Sequence, residues 1–392
     1  MQKVRVGIVG MGARGYFFAD YYSEKSHPGF ELVAACDLNP AMFDRFPAKF
    51  RDLIPYYGSL EEMLAKEEID AVIVATNDPY HVEPTITALK AGKHVLCEKP
   101  LCQTVEDAQL IARTVQESPG IFMVGFELRE ATIFRTMRRL LDEGRIGRVM
   151  IGHCFDNCSV GGNYYYHNPD RQKDFYKTLL LQKGTHSLDL LNWFMGSHPV
   201  KVYGMGGMDF YGKGGDPLLQ CRSCDKASTC PYFVKHDKLT IDGGMQLDFP
   251  DYCVWSPEMN LNDNSELAIN YANGSKATFH ESHFTPDYSR EFWLVGTKGK
   301  MYAYYDNPGR FLVRIEYTHA AERRTEEFKP HRAGGGHGGG DFLMRDEFYR
   351  RIVENDPAPD ALESAYYSTV LAICAEESIE SGMPVDIPPL QM

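Results

Sequence analysis

Three glycines near the start of the chain constrain its fold more than any other feature. Gly10, Gly12 and Gly15 form a G-x-G-x-x-G sequence that follows an apolar run, residues 4–9, and precedes a stretch with helical spacing. At a strand–turn–helix junction the first glycine permits a tight turn, the second lets backbone amides approach a pyrophosphate, and the third allows close helix–strand packing. Asp37 closes the next apolar run, 22 residues after Gly15, where a carboxylate binds the adenosine ribose and repels a 2′-phosphate. The pattern predicts a Rossmann-type site that holds NAD in preference to NADP, with a turn that binds no ligand as the alternative.

Several neighbours of this motif are predicted to contact the same dinucleotide. Ala13 and Arg14 lie inside the glycine motif, where Arg14 either contacts phosphate or is solvated. Thr76, Asn77 and His81 follow another apolar run, and ligands of open parallel sheets bind beyond the carboxyl ends of the strands. The alternative for this second segment is an Asn-Asp-Pro turn that only begins a helix.

The order of the apolar runs predicts two domains. Residues 1–125 alternate short apolar or β-branched runs with helical stretches, which is typical of a doubly wound parallel sheet of the Rossmann kind. Residues 126–392 contain longer runs in which apolar and polar residues alternate, as in antiparallel strands with one buried face. We therefore expect an α/β fold in which a NAD-binding domain precedes a substrate-binding α+β domain with a large, mostly antiparallel open sheet. A cysteine-containing insertion lies near residues 215–255.

Charge and hydropathy exclude several classes of partner. The 392 residues carry a formal net charge of −13, whereas nucleic acids and anionic membranes bind basic surfaces. No apolar stretch approaches the roughly 20 residues of a transmembrane helix, and the first residues lack the pattern of a signal peptide. We expect a cytoplasmic protein with no nucleic-acid or membrane partner. An exposed face of the antiparallel sheet favours a homodimer or homotetramer.

The motifs taken together resemble the glucose–fructose oxidoreductase / myo-inositol dehydrogenase family. The resemblance extends over most of the chain and is most specific in the Cys-Glu-Lys-Pro sequence. The matching segments are residues 10–15, 77–81, 97–100, 125–129, 144–147 and 183–189. The resemblance implies a Rossmann domain followed by a larger, mostly antiparallel α/β domain. It also implies a small-molecule substrate, a sugar, cyclitol or similar polyol, that is oxidised or reduced at a hydroxyl or carbonyl.

Hydride transfer to or from such a substrate needs a group that moves the hydroxyl proton and a donor that stabilises the developing alkoxide. Lys99 is the expected donor, with Glu98 beside it at the cofactor. The alternative is a surface lysine paired with Glu98. His186 falls in the first turn of a predicted helix, whose dipole disfavours the imidazolium and keeps the ring ready to accept a proton. The alternative for His186 is a structural histidine.

Two positions depart from the family pattern. Gln182 stands where many relatives have a carboxylate four residues before the histidine, and Glu127 stands where many have asparagine. The first departure argues against a carboxylate–histidine relay and leaves a pairing of Lys183 with His186 as its substitute. We therefore place Lys183 among the catalytic and substrate-contacting candidates.

The remaining substrate candidates are polar or aromatic residues of the second domain. Tyr165 and Arg171 would supply an apolar platform and a hydrogen-bonding group, although an aromatic strand packed on the sheet explains the same segment. Asp189, three residues after His186, would orient its ring or reach a substrate hydroxyl. His337 lies in a glycine-rich segment that reads as a flexible loop before an N-cap at Asp341. Weaker candidates are His280, His283 and Tyr288.

Four cysteines lie close together in the insertion. Cys221, Cys224 and Cys230 have C-x2-C-x5-C spacing. Cys253 is separated from Cys230 by 22 intervening residues. Four cysteinates form a closed structural zinc site when their sulfurs converge on one ion. An iron–sulfur cluster and unligated or redox-paired thiols are the alternatives.

The leading functional prediction is an NAD-dependent oxidoreductase acting on a sugar, cyclitol or glycoside. A glycosidase that retains NAD, oxidises a ring hydroxyl, eliminates the aglycone and reduces the ring again has almost the same sequence requirements. A non-catalytic NAD-binding subunit is the third reading.

Overall fold

The computed structural model describes residues 2–23, 25–45, 48–159, 165–216, 219–235, 238–241, 245–248, 250–306, 309–317, 324–334, 336–357 and 359–391. The first sheet is built from six short, mostly buried strands. They are β1 (Val4–Val9), β2 (Phe30–Cys36), β3 (Tyr56–Tyr57), β4 (Ala71–Val74), β5 (His94–Cys97) and β6 (Phe122–Val124). All pair in parallel in the order β3-β2-β1-β4-β5-β6, which is the doubly wound order of dinucleotide-binding folds.

Helices connect these strands, and local sequence signals fix where several of them begin. The helices are α1 (Ala13–Tyr21), α2 (Ala41–Arg45), α3 (Ala48–Arg51), α4 (Leu60–Lys66), α5 (Val82–Lys90) and α6 (Val105–Glu117). Ser59 caps α4 by accepting a hydrogen bond from the Glu62 amide at 3.2 Å, and Thr104 caps α6 through the Asp107 amide at 3.1 Å.

The second sheet has nine strands, and polar and apolar residues alternate along most of them. The strands are β7 (Val149–Cys158), β8 (Pro199–Gly207), β11 (Asn264–Tyr271), β12 (Lys276–Ser282), β13 (Tyr288–Gly296), β14 (Gly299–Asp306), β15 (Phe311–Tyr317), β16 (Thr325–Phe328) and β17 (Val385–Asp386). Two further strands in the insertion, β9 (Lys238–Ile241) and β10 (Met245–Asp248), form a separate antiparallel pair. Their order is β16-β15-β14-β13-β7-β12-β11-β8-β17, and β7 pairs with β12 in parallel while the other neighbours are antiparallel.

The second segment of the chain also contains helices. They are α7 (Thr132–Asp142), α8 (Lys173–Tyr176), α9 (Thr185–Met195), α10 (Gly340–Glu354) and α11 (Pro359–Ser381). Helix α9 packs on β7 and on α11, and α11 packs on β8. Helix α10 buries Met344, Phe348 and Ile352 in the same apolar cluster as the strands of the first sheet. Among the described residues, every helix is too short or too polar to cross a bilayer.

The observed architecture confirms the expected fold class, a parallel Rossmann-type sheet followed by a large, mostly antiparallel one. The boundary between domains 1–125 and 126–392 stays a prediction. Because α10 belongs to the second segment in sequence but packs on the first sheet, the two segments share a core.

Candidate active site

The glycine loop between β1 and α1 has the shape that a pyrophosphate requires. Gly10 has φ +90°, and a Cβ there would lie 2.6 Å from the backbone of Ala75 and Thr76, while a Cβ on Gly15 would lie 1.9 Å from the Gly10 carbonyl oxygen. A Cβ on Gly12 would meet nothing within 4 Å among the described residues. Helix α1 begins immediately afterwards, and within its described first turn no side chain caps it and no residue is acidic. The helix start therefore offers open space and unpaired amides to an anion, which fits the dinucleotide.

Asp37 lies at the end of β2 beside this loop. Its two carboxylate oxygens accept hydrogen bonds from the amides of Met11 and Asn39, each at 2.8 Å. The Met11 contact ties the carboxylate to the glycine loop. This is the position from which a carboxylate reaches the adenosine ribose, in agreement with the preference for NAD.

The loop that follows β4 is anchored by contacts between a histidine side chain and backbone carbonyl oxygens. The ring nitrogens of His81 lie 2.6 Å from the Pro100 carbonyl oxygen and 3.0 Å from the Thr76 carbonyl oxygen, and the side chain is buried. Because both ring nitrogens face backbone carbonyl oxygens, His81 positions the loop, and a cofactor contact by its side chain stays a prediction. Asn77 is exposed at the start of the turn Asp78–Tyr80 and stays a predicted cofactor contact.

Lys99 follows β5 and reaches across to the second segment of the chain. Its Nζ donates to the carbonyl oxygen of Gln182, which lies in a turn of π-helix, Leu180–Gly184, directly before α9. Burial lowers the pKa of Lys99, although the nearby carboxylates of Asp78 and Glu98 act in the opposite direction. Asp78 is itself buried, and burial raises its pKa even though Lys99 lowers it. Sequence reasoning did not single out Asp78, which lies within the Thr76–His81 loop.

His186 is the second residue of α9, as the sequence predicts, and its ring is 3% exposed. Burial places the pKa of His186 well below its usual value, and the positive charges of Lys99, His337 and Lys183 lower it further. A neutral ring agrees with the expectation, and the largest cause of the lowered pKa is burial, which the sequence argument did not invoke. Among the described residues its Nδ1 has no hydrogen-bond partner.

Lys183 does not pair with His186. Its Nζ donates to the hydroxyl oxygen of Tyr288 at 2.8 Å, and Nη1 of Arg290 donates to the same oxygen at 2.9 Å. Although burial acts against ionisation, these two cations lower the pKa of Tyr288. The predicted pairing of Lys183 with His186, in place of a carboxylate–histidine relay, is therefore wrong. Tyr288 is the hydrogen-bond partner of Lys183 instead.

The nearest carboxylate to His186 comes from Glu127, in the turn Glu127–Glu130 after β6. Its Oε1 lies 3.8 Å from Nε2 of His186 and 3.0 Å from Nδ1 of His337. His337 also lies 3.0 Å from Oδ2 of Asp341. The expected N-cap role of Asp341 is wrong, because Gly339 is the cap residue of α10 and the carboxylate pairs with His337.

Arg14 points away from the glycine loop and into this cluster. Its Nε donates to Oε1 of Glu98 at 2.7 Å, Nη1 donates to Oδ1 of Asp341 at 3.0 Å, and Nη2 lies 3.8 Å from Oε1 of Glu127. Arg14 and Glu98, both predicted to bind the cofactor, are thus paired with each other. Their engagement does not support a phosphate contact by the guanidinium.

Two predicted substrate contacts are engaged elsewhere in the structure. Asp189 accepts both hydrogen bonds of a bidentate pair with Arg129, at 2.6 and 2.9 Å, and a third from Ser368. Arg171 is buried and donates to the carbonyl oxygens of Tyr166 and Cys253, each at 2.7 Å. These contacts engage both side chains within the protein, and their assignment to the substrate stays a prediction.

Tyr165 stays a substrate candidate, with its buried ring 5.7 Å from that of His283 between centroids. Part of the aromatic segment that surrounds Tyr165 in the sequence, residues 160–164, lies outside the described residues.

The zinc prediction is not supported by the structure. Cys221, Cys224, Cys230 and Cys253 are free thiols. Two other groups in the described part of the chain place potential metal ligands within 4.8 Å of one another, and neither includes these cysteines. The groups are Glu127 with His186 and His337, and Cys158 with Glu281 and His283. The four-cysteine zinc site stays a prediction.

Sequence reasoning undervalued the glycine-rich segment. His337 has φ +50°, and Gly338 and Gly339 follow with φ +69° and +97°, a left-handed backbone that turns the histidine toward Glu127. The sequence signal for this placement is a histidine flanked by glycines, with an aspartate four residues later, a pattern that also fits the flexible loop that the sequence predicts.

Comparison with known proteins agrees with this geometry. Residues 4–126 match the model of the oxidoreductase family with an NAD-binding Rossmann fold, and residues 134–302 match the GFO/IDH/MocA C-terminal domain. YteT of Bacillus subtilis (strain 168), whose name calls it an oxidoreductase, is 27% identical over 383 residues, which cover 87% of each chain. An inositol 2-dehydrogenase of Salmonella typhimurium is 26% identical over 216 residues, 51% of this chain and 57% of that one. An apo levoglucosan dehydrogenase structure superimposes with a TM-score of 0.78 at 19% identity and covers 100% of both chains. The chain belongs to the GFO/IDH/MocA family of oxidoreductases, and it is a dehydrogenase with an NAD-binding Rossmann fold.

Proposed function

We propose that this enzyme oxidises a hydroxyl-bearing carbon of a sugar, a cyclitol or a glycoside, with NAD as the hydride acceptor. One observation carries the proposal: Lys99, which follows a strand of the first sheet, and His186, in a helix that packs on the second sheet, lie close enough to interact electrostatically. Lys99 hydrogen-bonds the carbonyl oxygen of Gln182, the residue directly before Lys183, and its charge is among those that depress the pKa of the buried His186. A hydrogen-bond donor and a neutral base therefore lie beside each other, as removal of a hydride from an alcohol requires.

The residues divide the reaction between them. NAD, held at the glycine loop, supplies the acceptor for the hydride. Lys99 donates a hydrogen bond to the substrate oxygen and stabilises the negative charge that develops there. His186 takes the hydroxyl proton at its unpartnered Nδ1, because the ring is neutral before the reaction. Lys183 and Tyr165 would hold the other hydroxyls and the apolar face of the substrate.

The substrate class rests on the chemistry of these groups and on the relatives. Buried lysine, histidine and tyrosine side chains suit a small polyhydroxylated ring, whose hydroxyls satisfy buried polar atoms. Two of the relatives named above are an inositol 2-dehydrogenase and a levoglucosan dehydrogenase, and their names identify ring polyols of this kind as their substrates. We therefore place myo-inositol and levoglucosan first among the compounds to test.

The experiment incubates purified enzyme and NAD with myo-inositol, levoglucosan, free sugars and aryl glycosides, and follows the absorbance of reduced nicotinamide. We expect one group of ring polyols to produce it, and Lys99→Met to abolish the signal. Lys90→Met, an exposed lysine of α5, is the matched control. Cleavage of an aryl glycoside without net reduced nicotinamide would replace the proposal with the NAD-retaining glycosidase. NAD binding without either reaction would favour a non-catalytic subunit.

We also propose that copies of the chain associate through the outer face of the second sheet. Large apolar side chains alternate with buried ones there and are 37–57% exposed. They are Ile151, Phe155, Tyr203, Met205, Trp293 and Val295. Such a patch on a soluble chain is a common subunit interface. Light scattering should detect a dimer or tetramer that Phe155→Glu with Trp293→Glu dissociates, whereas Leu110→Glu, an exposed leucine of α6, should leave the mass unchanged. A monomeric wild-type protein contradicts this assignment.

A further inference from the structure

We infer that Glu127 and His337 form the path by which the proton taken up by His186 leaves the active site. The inference rests on the proposed dehydrogenase function, which releases one proton for each hydride that is transferred. It assigns a role to a glycine-rich segment that the reaction scheme above leaves unused.

The three side chains form a continuous series from the interior toward the surface. His186 is 3% exposed, and its Nε2 lies 3.8 Å from Oε1 of Glu127, which is 1% exposed. The same oxygen lies 3.0 Å from Nδ1 of His337, whose side chain is 33% exposed. Glu127 therefore stands between a buried base and a histidine that reaches the surface.

The path moves protons only, and each histidine recovers its starting tautomer when its ring exchanges protons with water before the next turnover. The substrate hydroxyl proton passes to Nδ1 of His186 while the hydride, with its electron pair, leaves the substrate carbon for the nicotinamide. The proton on Nε2 of His186 passes to Oε1 of Glu127 and then to the unprotonated Nδ1 of neutral His337, whose Nε2 afterwards releases its own proton to water. The 3.8 Å step between His186 and Glu127 closes by a small side-chain movement or through a bridging water.

Electrostatics favour movement in this direction. Burial and the charges of Lys99 and His337 lower the pKa of His186, so its cation is short-lived. Burial raises the pKa of Glu127, and its carboxylate therefore accepts a proton more readily than an exposed carboxylate does. Against the effect of burial, Glu127 and Asp341 raise the pKa of His337.

The groups that face His337 come from four elements and are all part of this balance. They are Glu127 from the turn after β6, Asp341 from α10, Arg14 from α1 and His186 from α9.

A divalent metal ion is the competing reading of the same three residues, because their ligand atoms lie within 4.8 Å of one another. Arg14 argues against it. The guanidinium Nη2 lies 3.8 Å from Oε1 of Glu127, and Nη1 lies 3.0 Å from Asp341. A positive charge already compensates these carboxylates, and a second cation would be repelled.

The test compares hydride transfer with proton release in the His337→Ala enzyme. Stopped flow records reduced nicotinamide and a pH-indicator dye together, with myo-inositol or levoglucosan in weak buffer. We expect a nearly normal first turnover, because His186 still accepts one proton. We expect steady-state turnover and proton release to fall by about 10²-fold, a typical contribution of a proton-transfer group, and added imidazole to restore both. His198→Asn, a half-exposed histidine paired with Glu363, is the matched control and should behave as the wild type.

Two results would overturn the path. An equal loss of first-turnover and steady-state rates without rescue by imidazole would show that His337 only supports the fold. Loss of activity on chelation, together with a metal ion in the purified wild-type protein that His337→Ala lacks, would establish the metal site instead.

An NMR titration keeps the inference testable if no compound in the panel is oxidised, an outcome that would sink the proposed function by itself. We expect the His337 imidazole to titrate above its reference value of about 6.5 in the wild type and closer to it in Glu127→Gln. Identical titration in both proteins would remove the link between Glu127 and His337.

Discussion

Replacing Gly12 with alanine separates folding from cofactor binding, because this glycine alone of the three in the motif has free space around it. A methyl group at Gly12 meets nothing within 4 Å among the described residues, and its φ of −71° is ordinary for alanine. We expect the folded chain to lose roughly 0.5–1 kcal/mol, the cost of alanine at a helix N-cap. The same methyl group would stand where the pyrophosphate approaches the amides that begin α1.

The loss of affinity follows from the hydrogen bonds that the methyl group displaces. A hydrogen bond to a charged group contributes about 1.5–3 kcal/mol, so losing one or two costs about 3 kcal/mol. That energy corresponds to an increase in Kd of about 10²-fold. Gly15→Ala is not a substitute, since its Cβ would lie 1.9 Å from the Gly10 carbonyl oxygen and would disturb the fold itself.

Calorimetric titration with NAD and NADH, with thermal unfolding of the same samples, measures both effects. Gly58→Ala is the matched control, because its Cβ also meets nothing within 4 Å in the described part of the chain. It should bind as the wild type does. If Gly12→Ala folds and its Kd stays within about twofold of the wild-type value, a change of only about 0.4 kcal/mol, the pyrophosphate does not rest on this loop.

Four further expectations follow from the same structure. Lys99→Met should slow hydride transfer by about 10²–10⁴-fold in single-turnover kinetics, with little change in the Kd for NAD measured by calorimetry. An unchanged rate of hydride transfer would contradict the proposed role of Lys99. Burial opposes the shift, but His337 and Arg14 lower the pKa of Asp341, so its contribution to stability is present above roughly pH 3.9 and lost as the pH falls. The pKa of His337 is raised, so its contribution to the free energy of unfolding is present below roughly pH 6.5 and lost as the pH rises. In urea unfolding across this pH range, Asp341→Asn should lack the loss of stability at acid pH, and His337→Asn should lack the loss at alkaline pH. The zinc hypothesis predicts bound zinc in the purified chain that Cys224→Ser loses, and metal analysis that finds none rejects it. Arg14→Met leaves three buried carboxylates without their guanidinium and should cost about 3–5 kcal/mol in urea unfolding. This cost should shrink toward acid pH, where the carboxylates bind protons and lose their charge.

Local sequence patterns were sufficient for the elements and for two of the principal site residues. The apolar runs at residues 4–9 and 71–75 and the glycine motif depend on neighbours in sequence, and the structure has the strands and the turn where these patterns place them. His186 could be placed in the first turn of α9 for the same reason. Lys99 could be placed after β5, because a buried apolar run ends there.

The partners of buried charges could not be predicted in this way. Asp189 was assigned to the substrate, but Arg129, 60 residues away, holds it. Glu127 and His337 are 210 residues apart in sequence and 3.0 Å apart in space. Periodicity reports which face of an element is buried, whereas the identity of an ion-pair partner depends on which distant element covers that face.

Arg14 connects the two halves of the mechanism that sequence analysis treats separately. It lies in the first turn of α1, two residues after Gly12, yet its guanidinium bonds to Glu98, directly before Lys99, and to Asp341, which holds His337. Buried carboxylates are costly without a compensating charge, so these partners fix the start of α1 relative to both catalytic segments. The helix that we propose receives the pyrophosphate is therefore held by carboxylates that also contact Lys99 and His337, the residues to which we assign proton handling. A shift of α1 on cofactor binding would act on Lys99 and His337 together, because one guanidinium bonds to the segments that carry both.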